Sequence, residues 1–279
     1  LHGQNPYELT EPNIYGNMDN YGPAWVKDGK MTLGNPYPPL SILLSLTGYI
    51  TAGDIRYAHL LAILLAAVLM IWLNPARESL LAAYIFLFTP RLFFVIEQSW
   101  SEPLVLLLSV AVVYCAIRRP KLTFLALGLM LAIKQYMLFL LPFTLLLFPS
   151  GTSLRERLRL WAQAVGVAFI VTAPLAFWNF SAFLWNVGLA QFYQVFRANS
   201  LSYAALYSAV SGAAAWQFLP FLMLALVYLF VWRFARPSPS SFAAALATAL
   251  VLFVAFSQQA FCNYYFLIIG LLCCALAAC

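Results

Sequence analysis

Charge is what this chain has least of. Only 9% of its residues are Asp, Glu, Lys or Arg, against about a quarter in soluble globular domains, and that scarcity excludes a water-solvated fold. There are two histidines, and the five cysteines (Cys115, Cys262, Cys273, Cys274, Cys279) lie in or beside apolar runs without paired spacing. A disulfide framework and a zinc site are therefore not indicated, and the cysteines read as small apolar packing residues. No Ser-His-Asp set, no Gly-rich nucleotide-phosphate loop and no internal repeat is found. The net charge of +6 does not indicate nucleic acid, because the basic residues come in small groups between apolar runs instead of forming one patch. What the chain does have is 64% hydrophobic residues and a mean hydropathy of +0.85, the composition of a polytopic all-α transmembrane helix bundle.

Residues 1–37 differ from everything after them. They are polar, rich in Asn, Gly, Pro and Tyr, and hold four acids and two lysines; their tyrosines and Trp25 argue for an ordered aqueous loop and against simple disorder. The transmembrane domain is expected over 38–279. Its first element, Leu40 to Ala52, is about 20 Å long as a helix, too short for a comfortable span, and is expected to lie flat at the interface. About nine spans follow: Arg56 to Leu73, Leu80 to Ile96, Pro103 to Ile117, two short helices within 122–148, Leu158 to Trp178, Phe218 to Phe234, Phe242 to Phe256, and Phe266 onward. The pair within 122–148 is required because both of its flanks are basic, which demands an even number of crossings. The break between them is expected near Lys134, at or slightly below the outer surface. In this register Arg77, Arg118, Arg119, Lys121, Arg155, Arg157, Arg159, Arg233 and Arg236 all fall inside, and seven of the nine acids fall outside. Leu1 in place of Met, and the apolar run still open at Cys279, read as a fragment lacking its first span and its carboxy-terminal end.

Glu97 and Glu102 bracket Trp100 at the outer mouth between two spans. Ionisable groups at membrane depth are costly and mark function, whereas at the interface the same residues read as a solvated loop. Glu102 is the more pointed candidate: it precedes Pro103 at a helix start, where a carboxylate meets the positive helix end. Held there it is available as a base, a hydroxyl binder or a metal ligand. Lys134 is the only lysine flanked on both sides by long apolar runs. Either its ammonium snorkels to the surface, or it binds a phosphate there with Gln135 and Tyr136 beside it. Arg197 is a second candidate for the same phosphate charge. Tyr37, Tyr264, Tyr265, Trp100, Trp178 and Trp185 fit an interfacial aromatic belt and equally a surface on which sugar rings stack. His59, one turn beyond Arg56, reads as a polar packing contact. No metal centre is indicated, although a divalent cation stays open as a cofactor beside the acids.

These stretches together resemble a family. Gly3-Gln4-Asn5-Pro6-Tyr7 in a polar outer loop, Tyr37-Pro38-Pro39-Leu40 opening an interfacial helix, and Gly53-Asp54-Ile55-Arg56-Tyr57-Ala58 entering a span are similar to the GT-C superfamily of integral-membrane glycosyltransferases, of family 87 and family 39 type. Trp100-Ser101-Glu102-Pro103-Leu104, Lys134-Gln135-Tyr136, the Phe192 to Ser202 segment and Gln259 to Tyr265 add to the likeness. The resemblance implies a GT-C-like bundle in a bacterial inner membrane, with its site facing outward. It implies a hexosyltransferase, of mannosyltransferase type, that moves a sugar from a polyprenyl-phosphate carrier to a lipid or glycan acceptor. Glu102 matches the family's second acidic position and Lys134 its carrier-phosphate lysine. The family's base usually lies upstream of the Gly-x-Asn-Pro-Tyr stretch, and the chain begins only two residues before it, so Asp19 and Asp28 stand in as catalytic candidates. Glu97, Arg197, Tyr37, Asn263, Tyr264 and Tyr265 complete the expected substrate-binding set. A transporter or lipid-linked glycan flippase, binding without reacting in the one outer cavity that Glu102 and Lys134 are expected to line, is the competing reading, and a scaffolding membrane subunit is a third.

Overall fold

The computed structural model describes residues 3–13, 24–213 and 216–279. In the amino-terminal loop Asp28 and Gly29 both have positive φ, 51° and 74°, the combination a two-residue hairpin turn of type I′ requires. They join β1 (Val26–Lys27) to β2 (Lys30–Met31), with Val26 opposite Met31. The remainder is helical. Helix α1 (Pro39–Ala52) starts on a proline at its first position and stops at Gly53, whose φ of 77° turns the chain out of the helix. Then come α2 (Arg56–Leu73), α3 (Arg77–Leu87), α4 (Leu92–Glu97), α5 (Glu102–Arg118) and α6 (Thr123–Ile133). A 3-10 helix over Gln135–Leu147 leads to α7 (Leu154–Ala176), which a capping box between Ser153 and Glu156 opens. Short turns follow in α8 (Phe180–Phe183), a π-helical turn at Leu184–Gly188 and a 3-10 turn at Leu189–Tyr193. The chain ends with α9 (Tyr203–Ser211), α10 (Leu219–Phe234), α11 (Pro239–Phe256) and α12 (Cys262–Ala277).

Helix α5 is the centre. Ten of its residues are buried, and α2, α6, α11 and α12 pack around it. The contact between α6 and α7 is close enough that a Cβ on Gly128 would lie 2.5 Å from the Ala164 carbonyl oxygen. By contrast α7 buries only Ala164 and Ala176, and α10 exposes Phe221, Leu229, Phe230 and Trp232. An outer surface this apolar suits lipid and not water. Among the described residues three helices are long and apolar enough to cross a membrane, α2, α7 and α11.

Several expected spans come out differently. Leu80 to Ile96 is not one helix: it divides at Thr89-Pro90-Arg91, where the proline removes a donor and Arg91 has φ of 64°. The break at Lys134 is present, with α6 ending at Ile133 and Lys134 extended at φ −152°, ψ 137°. The second half of that pair is wound as a 3-10 helix instead of an α-helix.

The bundle has two distinct ends. At one, Arg118 Nε donates to the Trp72 and Leu73 carbonyls (3.2 and 3.1 Å), Ser79 Oγ to the Ala277 carbonyl (3.1 Å) and Ser240 Oγ to the Ala275 carbonyl (2.8 Å). At the other, the amino-terminal loop meets the 180–193 turns: Trp25 Nε1 donates to the Ala190 carbonyl at 3.2 Å. There too the 195–201 stretch pairs with 258–260, through Leu201 N to the Ala260 carbonyl (2.7 Å) and Gln259 Nε2 to the Val195 carbonyl (2.9 Å). The amino-terminal loop, the 180–201 stretch and the 258–260 turn are therefore neighbours at this end.

Candidate functional site

The amino-terminal end of α5 carries Glu102 in its first turn, with Pro103 beside it. The carboxy-terminal end of α6 delivers Lys134, because the helix stops at Ile133 and the extended backbone swings the next side chain inward. The two side chains form an ion pair, Nζ donating to Oε1, with Lys134 2% and Glu102 0% exposed. Three tyrosine rings surround the ammonium: Tyr37 at 4.6 Å, Tyr136 at 5.5 Å and Tyr264 at 5.8 Å from nitrogen to ring centroid. The three rings come from the end of the amino-terminal loop, the start of the 3-10 helix and the first turn of α12. Each presents π density to a cation, so the cage and the carboxylate together hold a charge that burial alone would expel.

Sequence reasoning put Glu102 and Lys134 on the wall of an open outer cavity. They are together, as expected, but the pair is closed. The Glu102 carboxylate neutralises the ammonium that was expected to meet a phosphate, and the tyrosine cage shuts water out.

The polar atoms around the pair are not all satisfied. Glu102 Oε2, Ser101 Oγ, Gln135 Oε1, Tyr136 OH and Asn263 Oδ1 are buried without a hydrogen-bond partner. Such atoms are costly unless something donates to them. Three are pure acceptors and two are hydroxyls, a set matched to a ligand rich in O–H groups.

The cage depends on a second layer. Tyr37 N donates to Asn35 Oδ1 (2.9 Å), and the Tyr37 carbonyl accepts from Tyr7 OH (3.0 Å). Gln135 Nε2 donates to the Pro36 carbonyl at 3.3 Å, tying the helix break to the loop. Tyr7 is itself buried against Phe183, and that burial pushes its phenol pKa up. Asn186, in the π-helical turn, clamps the loop from the other side: its Nδ2 donates to the Tyr7 carbonyl (2.9 Å) and its Oδ1 accepts from Gly34 N (2.5 Å). Sequence reasoning missed Asn186. Its only signal was an amide inside an apolar stretch, Leu184-Trp185-Asn186-Val187.

Among the described residues no hydrogen bond or ion pair joins Glu97, Asp28, Arg197 or Tyr265 to the pair. Glu97 is exposed at the end of α4. Asp28 is exposed in the hairpin turn, where its positive φ serves the chain reversal. Asp19 lies outside the described residues. Arg197 stacks over the Phe261 ring at 5.2 Å and donates to Asn199 Oδ1 at 3.2 Å, so its guanidinium is engaged by its own segment and by the residue that leads into α12. The Tyr265 hydroxyl donates to the Leu201 carbonyl. Asn263 is buried in the first turn of α12, one residue before the cage tyrosine Tyr264. His59 Nε2 shares a 3.1 Å hydrogen bond with Ser45 Oγ of α1, as a packing contact should. At the mouth of α2, Asp54 accepts from Arg56 Nε (2.8 Å) and Arg56 N (2.9 Å), and these bonds hold its carboxyl below the usual range. Among the described residues no group of three or more His, Cys, Asp or Glu is placed to hold a metal ion.

No protein-family model, curated protein or solved structure matches the chain.

Proposed function

We propose that this chain is an integral-membrane glycosyltransferase of GT-C-like architecture, transferring a sugar from a polyprenyl-phosphate carrier to a lipid or glycan acceptor on the outer face of a bacterial inner membrane. One observation carries the reading: a carboxylate and an ammonium are buried together in a tyrosine cage at the end of the bundle that carries the amino-terminal loop, with one carboxylate oxygen unpartnered. Buried charges inside an apolar bundle are functional by default.

The chemistry asks for a base and a cation. Glu102 is fixed through Oε1 to Lys134, which leaves Oε2 to accept the proton of the acceptor hydroxyl once Tyr37, carried by the amino-terminal loop, moves aside from the closed pair. The hydroxyl oxygen bonds to the anomeric carbon as the bond from that carbon to the phosphate oxygen breaks. The electron pair leaves with the phosphate, whose charge Lys134 then meets as Glu102 gains the proton. Protonation of the carboxylate and arrival of the phosphate are thus exchanged at one ammonium. A phosphate leaves readily, so no acid is needed on that side. The unpartnered acceptors on Gln135 and Asn263 suit sugar hydroxyls, and the rings of Tyr37 and Tyr264 suit a pyranose face.

Transfer of a radiolabelled hexose from a polyprenyl-phosphate donor, measured with protein reconstituted in liposomes, tests this. Glu102→Gln and Lys134→Ala are each expected to lower the rate by about a hundredfold or more. Transfer at the unmodified rate in both variants refutes the assignment. Donor movement across the bilayer with the sugar bond intact favours the flippase instead.

A further inference from the structure

A second site lies at the opposite end of the bundle. A cavity of about 740 Å³ opens between the end of α2, the start of α3 and the end of α5, lined by Trp72, Pro75, Leu80 and Tyr114 with Arg77 and Arg118 on its walls. We propose that it binds the headgroup and upper acyl chain of an anionic phospholipid.

The lining divides as such a lipid does. Trp72, Leu80 and Ile71 supply an apolar wall, and Trp72 is 59% exposed, the posture of an indole at a lipid headgroup level. Arg77 is the first residue of α3, and among the described residues no hydrogen bond or ion pair engages its guanidinium. Arg118 uses Nε on the Trp72 and Leu73 carbonyls. Those bonds hold its planar fork in place, with the terminal nitrogens available for a phosphodiester. The α3 start adds to this: Ala76 provides no side-chain cap, so the first backbone N–H groups keep their partial positive charge at the same wall. Arg119 and Lys121 follow directly and are exposed. Against these four cations stands one carboxylate, Glu78, also exposed and not part of the lining. Basic cavities between membrane helices have this chemistry toward anionic lipids. A free phosphate would use the guanidinium groups but leave the apolar wall empty, which is why a lipid is the better occupant.

Native mass spectrometry of the purified full chain, released from micelles doped with equal amounts of phosphatidylglycerol and phosphatidylcholine, reads this directly. The expected result is preferential retention of phosphatidylglycerol. Arg77→Gln should reduce that preference about fivefold, and Arg77→Gln with Arg118→Gln should abolish it. Arg77→Lys should retain most of it. Because Arg77 contacts nothing that holds the fold, its variant should unfold at the wild-type temperature, which separates lost binding from lost structure. Equal retention of the two lipids overturns the proposal, as does a preference untouched by the double substitution. Displacement of the lipid by millimolar inorganic phosphate overturns it too, since the site would then be one for free anions. No outcome here bears on the glycosyl-transfer reading.

Discussion

Replacing Lys134 with Met keeps the volume and deletes the charge, leaving Glu102 as a fully buried carboxylate with no cation beside it. Breaking a buried pair from one side costs about 3–5 kcal/mol. Lys134 is near the top of that range, because it also loses three ring faces within 6 Å, each worth about 0.5–2 kcal/mol when desolvated, though not additively. Glu102→Gln should cost less, about 2 kcal/mol, since the ammonium keeps its tyrosines and the amide keeps the shape. The double variant removes both charges and should recover most of the loss, lying within about 1–2 kcal/mol of the wild type. Reversible unfolding by SDS in mixed micelles, run on all four proteins, yields the coupling directly. A Lys134→Met cost below about 1 kcal/mol, or two single losses that simply add in the double variant, would refute the claim that this pair is buried and mutually neutralised.

Asn186→Ala removes both the acceptor for Gly34 N and the donor to the Tyr7 carbonyl; it should cost about 2 kcal/mol and speed proteolytic cutting within residues 1–37, while transmembrane stability changes little. Gly128→Ala should destabilise the contact between α6 and α7 by about 1–3 kcal/mol, as its Cβ meets the Ala164 carbonyl oxygen at 2.5 Å and Val167 Cβ at 2.6 Å. Gly270→Ala meets the Leu106 side chain at 2.3 Å, and because Leu106 is itself fully buried, thermal unfolding in detergent should show a loss of similar size. Asp54 should titrate below the usual carboxylate range by carbon-13 NMR, and Arg56→Gln should move it only part of the way back, because the bond from the residue-56 backbone N–H remains. With its folded pKa depressed, the Asp54 contribution to stability is present above the unfolded pKa and fades as pH falls through the folded one.

Much of the candidate site was legible because the chain is so poor in charge. Against an apolar background a single Lys134 and a Glu102 before Pro103 stand out, and the topological demand for an even number of crossings required a break near Lys134. The helical class followed from composition, and the extent of α1 from Pro38, Pro39 and Gly53. What was not legible was that the two charges would pair directly with each other instead of both facing an open cavity. Residues 32 positions apart pair because α5 and α6 pack side by side, a tertiary fact with no local trace. Local signals were also passed over: Asp28-Gly29 spells a hairpin turn, and Ser153-Leu154-Arg155-Glu156 spells a capping box that starts α7 four residues before the expected span. Arg197 and Tyr265 look free in the sequence and are engaged by Phe261 and the Leu201 carbonyl in the fold.

The 3-10 winding of Gln135–Leu147 bears on depth. At about 2.0 Å per residue its 13 residues extend about 26 Å, whereas the same residues as an α-helix would reach only about 20 Å. Helix α6 fixes one end of that segment, at Lys134, so the winding sets where the other end falls. The stretched coil carries the chain about 26 Å from the ion pair toward the turn before α7, where α winding would stop about 6 Å short. The 148–153 turn would then have to cover that distance, so the pitch of the 3-10 segment governs how α7 is reached and not how the two charges meet.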